Sequence, residues 1–262
     1  MIRVGTSGYS YDDWAGRFYP PGLPPAQRLV FYAERFDTVE VNTTFYRQPT
    51  LALTRGLAAK VGPGFRFSIK VWGGLTHDHE HATEADFRRF AASLAPLVDT
   101  GHLGCILAQF PNSFRPQPGT LAWLARVREA WPAWPLAVEF RHGAWHTPAT
   151  YARLRELDLG VCNVDEPDLP GLMPRGEEIT ARVGYVRFHG RNAERWYRHQ
   201  EAWQRYDYQY RQDELATWLD PLKRMARTAD SVYVFFNNHY AAQAVTNAGD
   251  LLAALAAGAG SG

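Results

Sequence analysis

The chain has 262 residues, 46% of them apolar and 21% charged, with a formal net charge of +1. That length suits one large domain with a full-sized core, and the balance is that of an ordinary globular protein. A near-neutral chain excludes a surface that attracts nucleic acid as a whole, so any anion preference must be local.

Cys105 and Cys162 lie far apart in apolar runs, which gives neither a disulfide framework nor a zinc site and fits a reducing compartment. The first residues, MIRVGTSGYS, contain no signal-like apolar run, and no stretch is long enough to span a membrane. The expectation is a cytoplasmic protein with no membrane partner. One domain is expected over 1–257, with 258–262 a small, flexible tail outside any functional role.

In chain order, a strand over 2–10 breaks at Gly5 and Gly8. Helical periodicity follows over 27–36, then a strand over 36–46 and a helix over 51–61 ending at Gly62. A third strand covers 65–74. The helix over 83–97 places Phe87, Phe90, Leu94 and Leu97 on one face. A fourth strand over 103–111 is stopped by Pro111, and a helix follows over 120–131. After a fifth strand over 135–141, Thr147 and Pro148 open a helix over 147–158. The sixth strand covers 159–166. The stretch 167–182 is rich in Pro and Gly and carries no helix signal. A seventh strand over 184–190, a helix over 213–226, an eighth strand over 231–239 and a helix over 241–257 complete the chain.

This strand-then-helix rhythm of eight units forces parallel strands and predicts a single-domain α/β fold, the (β/α)₈ TIM barrel. An open doubly wound sheet is the alternative, weakened by the absence of GxGxxG after the first strand.

Barrel strands alternate between the helices and the barrel axis. Residues of one parity are apolar in strand after strand, and the other parity turns polar toward the C-terminal end. The polar set gives Glu40 and Asn42, Lys70 and Trp72, Gln109, Glu139 and Arg141, Asn163 and Asp165, Arg187, His189 and Arg191, and Asn237. That end is where barrel enzymes keep their active sites. The expected cup therefore opposes Glu40, Glu139 and Asp165 to Lys70, Arg141, Arg187 and His189, under an aromatic rim of Tyr9, Trp14, Tyr46, Trp72, Trp145 and Trp196. The bland alternative is a salt-bridge network that merely fills the lumen.

The segments GTSGYSYDDWAGRFYP, FDTVEVNTTFYRQP, FSIKVWGGLTH, LGCILAQFP, AVEFRHGAW, YVRFHGRN and VYVFFNNH occur in this order. Together they resemble the YecE-like family, domain of unknown function seventy-two, over nearly the whole chain. The resemblance implies a TIM barrel and no particular reaction. Its motif positions include Ser7, Tyr9, Trp14, Glu40, Asn42, Tyr46, Lys70, Gln109, Glu139, Arg141, Arg187, His189, Arg191, Asn237 and Asn238.

By residue type, Glu40, Glu139, Asp165, His189 and Lys70 are the candidate catalytic groups, with His189 a proton shuttle near neutrality. Ser7, Tyr9, Trp14, Asn42, Tyr46, Trp72, Gln109, Arg141, Arg187, Arg191, Trp196, Asn237 and Asn238 are candidate substrate-binding groups. The arginines suit a phosphate or carboxylate. A Schiff base on Lys70 requires a depressed pKa; the surrounding carboxylates are expected to raise it and hold a salt-bridged lysine. No cofactor is identified. A divalent metal on the carboxylates and His189 competes with the arginines, and His77, His79 and His81 read as a polar loop rather than a chelator. The expected function is an enzyme, a hydrolase or lyase, acting on a small anionic ligand. The alternative is a nucleic-acid-binding protein using the basic and aromatic segment 191–211.

Overall fold

The computed structural model describes residues 1–258; residues 259–262, the rest of the expected tail, lie outside the described residues. The strands are β1 (Ile2–Thr6), β2 (Thr38–Val41), β3 (Arg66–Lys70), β4 (Leu103–Gln109), β5 (Leu136–Glu139), β6 (Gly160–Asp165), β7 (Val183–Phe188) and β8 (Ser231–Phe236). They pair in parallel in the order β1-β8-β7-β6-β5-β4-β3-β2. The last seam, between β1 and β2, is held by a single parallel bridge from Ser7 to Glu40 and by the Gly8 amide donating to the Glu40 carbonyl. Gly5 permits this approach: a Cβ there would sit 2.3 Å from the Thr38 carbonyl oxygen. The result is a nearly closed TIM barrel, as the alternation predicts.

The connecting helices are α1 (Arg28–Ala33), α2 (Thr43–Tyr46), α3 (Leu51–Ala58), α4 (Glu84–Asp99), α5 (Pro118–Ala130), α6 (Pro148–Glu156), α7 (Gln212–Ala216), α8 (Leu219–Thr228) and α9 (Gln243–Ala257). Their starts follow capping chemistry. Thr83 and Asp86 form a capping box on α4, which buries Phe87, Phe90, Leu94 and Leu97 as expected. The Thr147 side chain accepts from the Thr150 amide, with Pro148 in the first turn of α6.

Two boundaries differ from the sequence reading. The second strand stops at Val41, and the chain turns into α2, where the Thr44 hydroxyl donates to the Lys70 carbonyl at 2.6 Å. The helix expected over 213–226 is two helices. A continuous helix would place Pro221 in its interior, where its ring strikes the preceding turn; restarting at Leu219 puts it in a first turn instead.

No helix is described between β6 and β7, and no described helix is long and apolar enough to cross a membrane. Inside the barrel, Leu107, Tyr185 and Phe235 are fully buried and plug the lumen beneath the charged layer.

Candidate functional site

At the C-terminal end of the strands, Arg187 of β7 occupies the centre of the lumen, 2% exposed. Its Nη1 donates to Glu139 Oε2 on β5 at 2.7 Å, and its Nη2 donates to Glu40 Oε1 on β2 at 2.7 Å. A longer bond of 3.3 Å reaches Ser7 Oγ. The Tyr185 hydroxyl donates to the other Glu40 oxygen at 2.7 Å and accepts from the Ser68 hydroxyl at 2.6 Å. One guanidinium thus bridges two buried carboxylates from opposite sides of the barrel.

The second Glu139 oxygen is contested. Arg141 Nε lies 2.9 Å from it and His189 Nε2 lies 3.3 Å from it, yet neither makes a well-directed hydrogen bond. Burial alone would raise the Glu139 carboxyl, but Arg141 and Arg187 outweigh it and hold the carboxyl well below its usual range. His189 is driven the other way. Burial, reinforced by Arg141, lowers it to about 3 against the pull of Glu139. It is therefore a neutral imidazole at physiological pH, which corrects the expectation of a shuttle titrating near neutrality. Asn237 Nδ2 lies 3.1 Å from His189 Nδ1, an arrangement that leaves the proton on Nε2, facing Glu139.

Lys70 differs most from its expectation. Among the described residues its ammonium has no carboxylate within ion-pair distance and no hydrogen bond; Nζ stands 4.3 Å from the centroid of the Phe45 ring. Burial and the neighbouring Arg187 lower it to about 7, more than Glu139 and Glu40 restore. The salt-bridged lysine of the sequence reading is instead an unpaired amine, because desolvation outweighs carboxylates that are already committed to arginine.

Above these groups lies a cavity of about 390 Å³. Tyr9, Asn42, Tyr46, Lys70, Arg141, Arg187 and Asn237 line it, joined by Tyr11, Leu53, Leu57, Tyr206 and His239. Ser7, Glu40, Glu139 and His189 form the buried layer below. Gln109 and Trp196 line an adjoining depression that shares Arg141.

Other expected site residues stand elsewhere. Trp14 is fully buried, its indole donating to the His239 carbonyl, and Trp145 is buried against Phe140 with its indole on the Phe114 carbonyl. Both are core residues, not rim. Trp72 packs over Gly74 outside the cavity lining. Asn238 Nδ2 donates to the Tyr208 carbonyl and to Asn247, tying the loop after β8.

Asp165 and Arg191 do not join the cup. Arg191 grips both Asp165 oxygens, at 2.7 and 2.6 Å, while the Tyr210 hydroxyl and the Trp218 indole complete the carboxylate at 2.9 and 2.7 Å. This cluster sits behind β6 and β7. On β6 the inward face belongs to the opposite parity: the Cys162 thiol feels Glu139, Arg187 and Glu40, whereas Asn163 exchanges hydrogen bonds with the backbone of Glu178. The missing helix explains the error. Where other strands meet an apolar helix, β6 meets bare backbone from the irregular 166–182 connection, and polar side chains satisfy it.

Sequence reasoning also missed Glu166, next along the inward parity of β6. Its side chain is 1% exposed, both oxygens lack a hydrogen bond of good geometry, and its nearest cation is Arg141 Nη1 at 3.9 Å. Burial raises it to about 7. The three histidines of THDHEH diverge: His77 meets Phe45, His79 packs on Trp123, and His81 pairs with Asp78.

A family model described as Protein of unknown function DUF72 matches residues 3–261. The chain belongs to the DUF72 family. It is 29% identical over 270 residues to UPF0759 protein YunF of Bacillus subtilis (strain 168), covering 96% of this chain and 94% of that protein. It also resembles the crystal structure of a DUF72 family protein from Thermotoga maritima, with a TM-score of 0.90 and 39% identity over 98% of this chain and 99% of that one. A DUF72 family protein from Enterococcus faecalis gives a TM-score of 0.87 and 28% identity over 98% and 96% of the two chains. The family and the barrel are thereby established.

Proposed function

We propose that the cup is an enzyme active site that binds a small anionic molecule and works by acid–base chemistry. The observation that carries this reading is a cation left open to the cavity: among the described residues Lys70 lines it with no carboxylate at ion-pair distance, while Arg141 and Arg187 beside it are engaged by Glu139, Glu40 and, at 3.9 Å, Glu166. A buried cation of this kind is costly unless a ligand's phosphate or carboxylate completes it. Glu139, kept ionised and imperfectly hydrogen-bonded, is the base. The wall of Val41, Tyr46, Leu53 and Leu57 gives the ligand an apolar body.

The test is titration with phenyl phosphate and with phenylacetate, followed by tryptophan fluorescence or calorimetry. Lys70→Met is expected to weaken binding at least tenfold, on the order of the 1.5–3 kcal/mol of a charge-assisted bond. Unchanged affinity would remove the cup from the function. The nucleic-acid alternative rests on fewer free groups, because Arg191, Arg205 and Arg211 are bonded internally to Asp165, the Trp196 carbonyl and Asp213. Oligothymidylate binding with steep salt dependence, and no binding of the small anions, would favour it instead.

A further inference from the structure

We propose that Lys70 is a nucleophile that forms an imine with the carbonyl group of a 2-oxo acid carrying an apolar side chain. This rests on the anion-binding reading of the cup and names its substrate class.

Lysine is scarce in this chain. The 28 basic residues include only Lys60, Lys70 and Lys223. Lys60 is exposed, and Lys223 donates to the Gly258 carbonyl at the outer surface. The remaining one is placed at the C-terminal end of β3, on the lumen face, opening into the cavity. Every charged group packed around it belongs to another element: Glu40 on β2, Glu139 and Arg141 at the end of β5, Arg187 on β7 and His77 in the loop after β3. The carboxylates among them are engaged by arginines, so none clamps the amine. A permanent ion pair would hold it as ammonium. Burial beside Arg187 and Arg141 instead brings it to about 7, so a large fraction is the free base near neutrality.

The chemistry balances without a further reactant. The neutral amine attacks the carbonyl carbon, forming a C–N bond while the C=O π pair moves to oxygen. The two amine protons end on that oxygen, which leaves as water, and a C=N bond remains. Taking up one proton gives an iminium, whose positive charge the Glu139 and Glu40 carboxylates favour. Arg141, exposed to the same cavity, suits the adjacent carboxylate, and the Val41, Tyr46 and Leu57 wall suits the side chain.

The experiment uses the full chain with phenylpyruvate and cyanoborohydride, which reduces an imine to a stable amine, followed by intact mass and peptide mapping. The expected result is one adduct, on Lys70. The adduct should form readily at pH 7, where an ordinary lysine is almost wholly ammonium and labels far more slowly. Phenyllactate, which lacks the carbonyl, should protect competitively. Lys70→Arg should abolish the adduct, and labelling that persists at its wild-type rate in that variant would overturn the assignment. Labelling spread over Met1, Lys60 and Lys223, or no labelling by a protein that binds phenylpyruvate, would overturn the imine and leave the anion site standing. No labelling together with no binding of phenyl phosphate would overturn both.

Discussion

Two buried acid–base clusters lie on either side of β6 and β7, and they differ in how fully their polar atoms are answered. Behind the strands, Asp165 receives two bonds from Arg191, one from Tyr210 and one from Trp218, and Arg191 reaches Glu214 as well. Inside the barrel, Arg187 binds Glu40 and Glu139 as tightly, yet Glu139 Oε1, His189 Nε2 and Arg187 Nε lack well-directed partners, and Lys70 meets the Phe45 ring rather than a carboxylate. A complete buried network fixes a structure, whereas an incomplete one carries a cost that persists for some other purpose. The outer cluster replaces a helix missing from the crossover after β6. The inner one lies directly beneath the cavity that Lys70, Arg141 and Arg187 line.

The comparison is broken most severely at Arg187. Arg187→Met leaves Glu40 without a cation and Glu139 with Arg141 alone, and about 4 kcal/mol of stability should be lost in urea unfolding. A loss under 1 kcal/mol would mean that the inner carboxylates do not depend on this guanidinium. Asp165→Asn should cost less, about 3 kcal/mol, because Arg191 is partly exposed and retains Glu214. That variant should bind phenyl phosphate as wild type does. Weakened binding would merge the two clusters into one functional unit.

The barrel was legible because its signal is a rhythm repeated along the chain. So was most of the inward column, since Glu40, Lys70, Glu139 and Arg187 each stand opposite an apolar parity that must face a helix. The same rule misled on β6, where VCNVDE offers polar residues in one set and Cys162, Val164 and Glu166 in the other. With no helix in the crossover after that strand, Asn163 turns outward to the Glu178 backbone and Asp165 to Arg191, Tyr210 and Trp218. Trp14 and Trp145 were misplaced for another reason: a ring type says nothing about which side of a loop it packs on. The states of Lys70 and His189 were beyond sequence altogether, because they depend on how much solvent is removed and on which carboxylates are already taken.

Glu166 offers the sharpest division between the clusters. Burial lifts its pKa from the usual 4.5 to about 7. Between those values the folded protein keeps a proton that the unfolded chain releases. The stability this group contributes is therefore complete below about pH 4.5 and is lost as pH rises through about 7. Glu166→Gln removes the titration and keeps the shape. Urea unfolding should find the variant equal to wild type near pH 4.5 and more stable by about 3 kcal/mol at pH 8. If the variant is instead the less stable at pH 8, Glu166 is an ordinary ion-pair partner of Arg141. In that case Arg141 is already answered on that side, and less of its charge remains for a ligand.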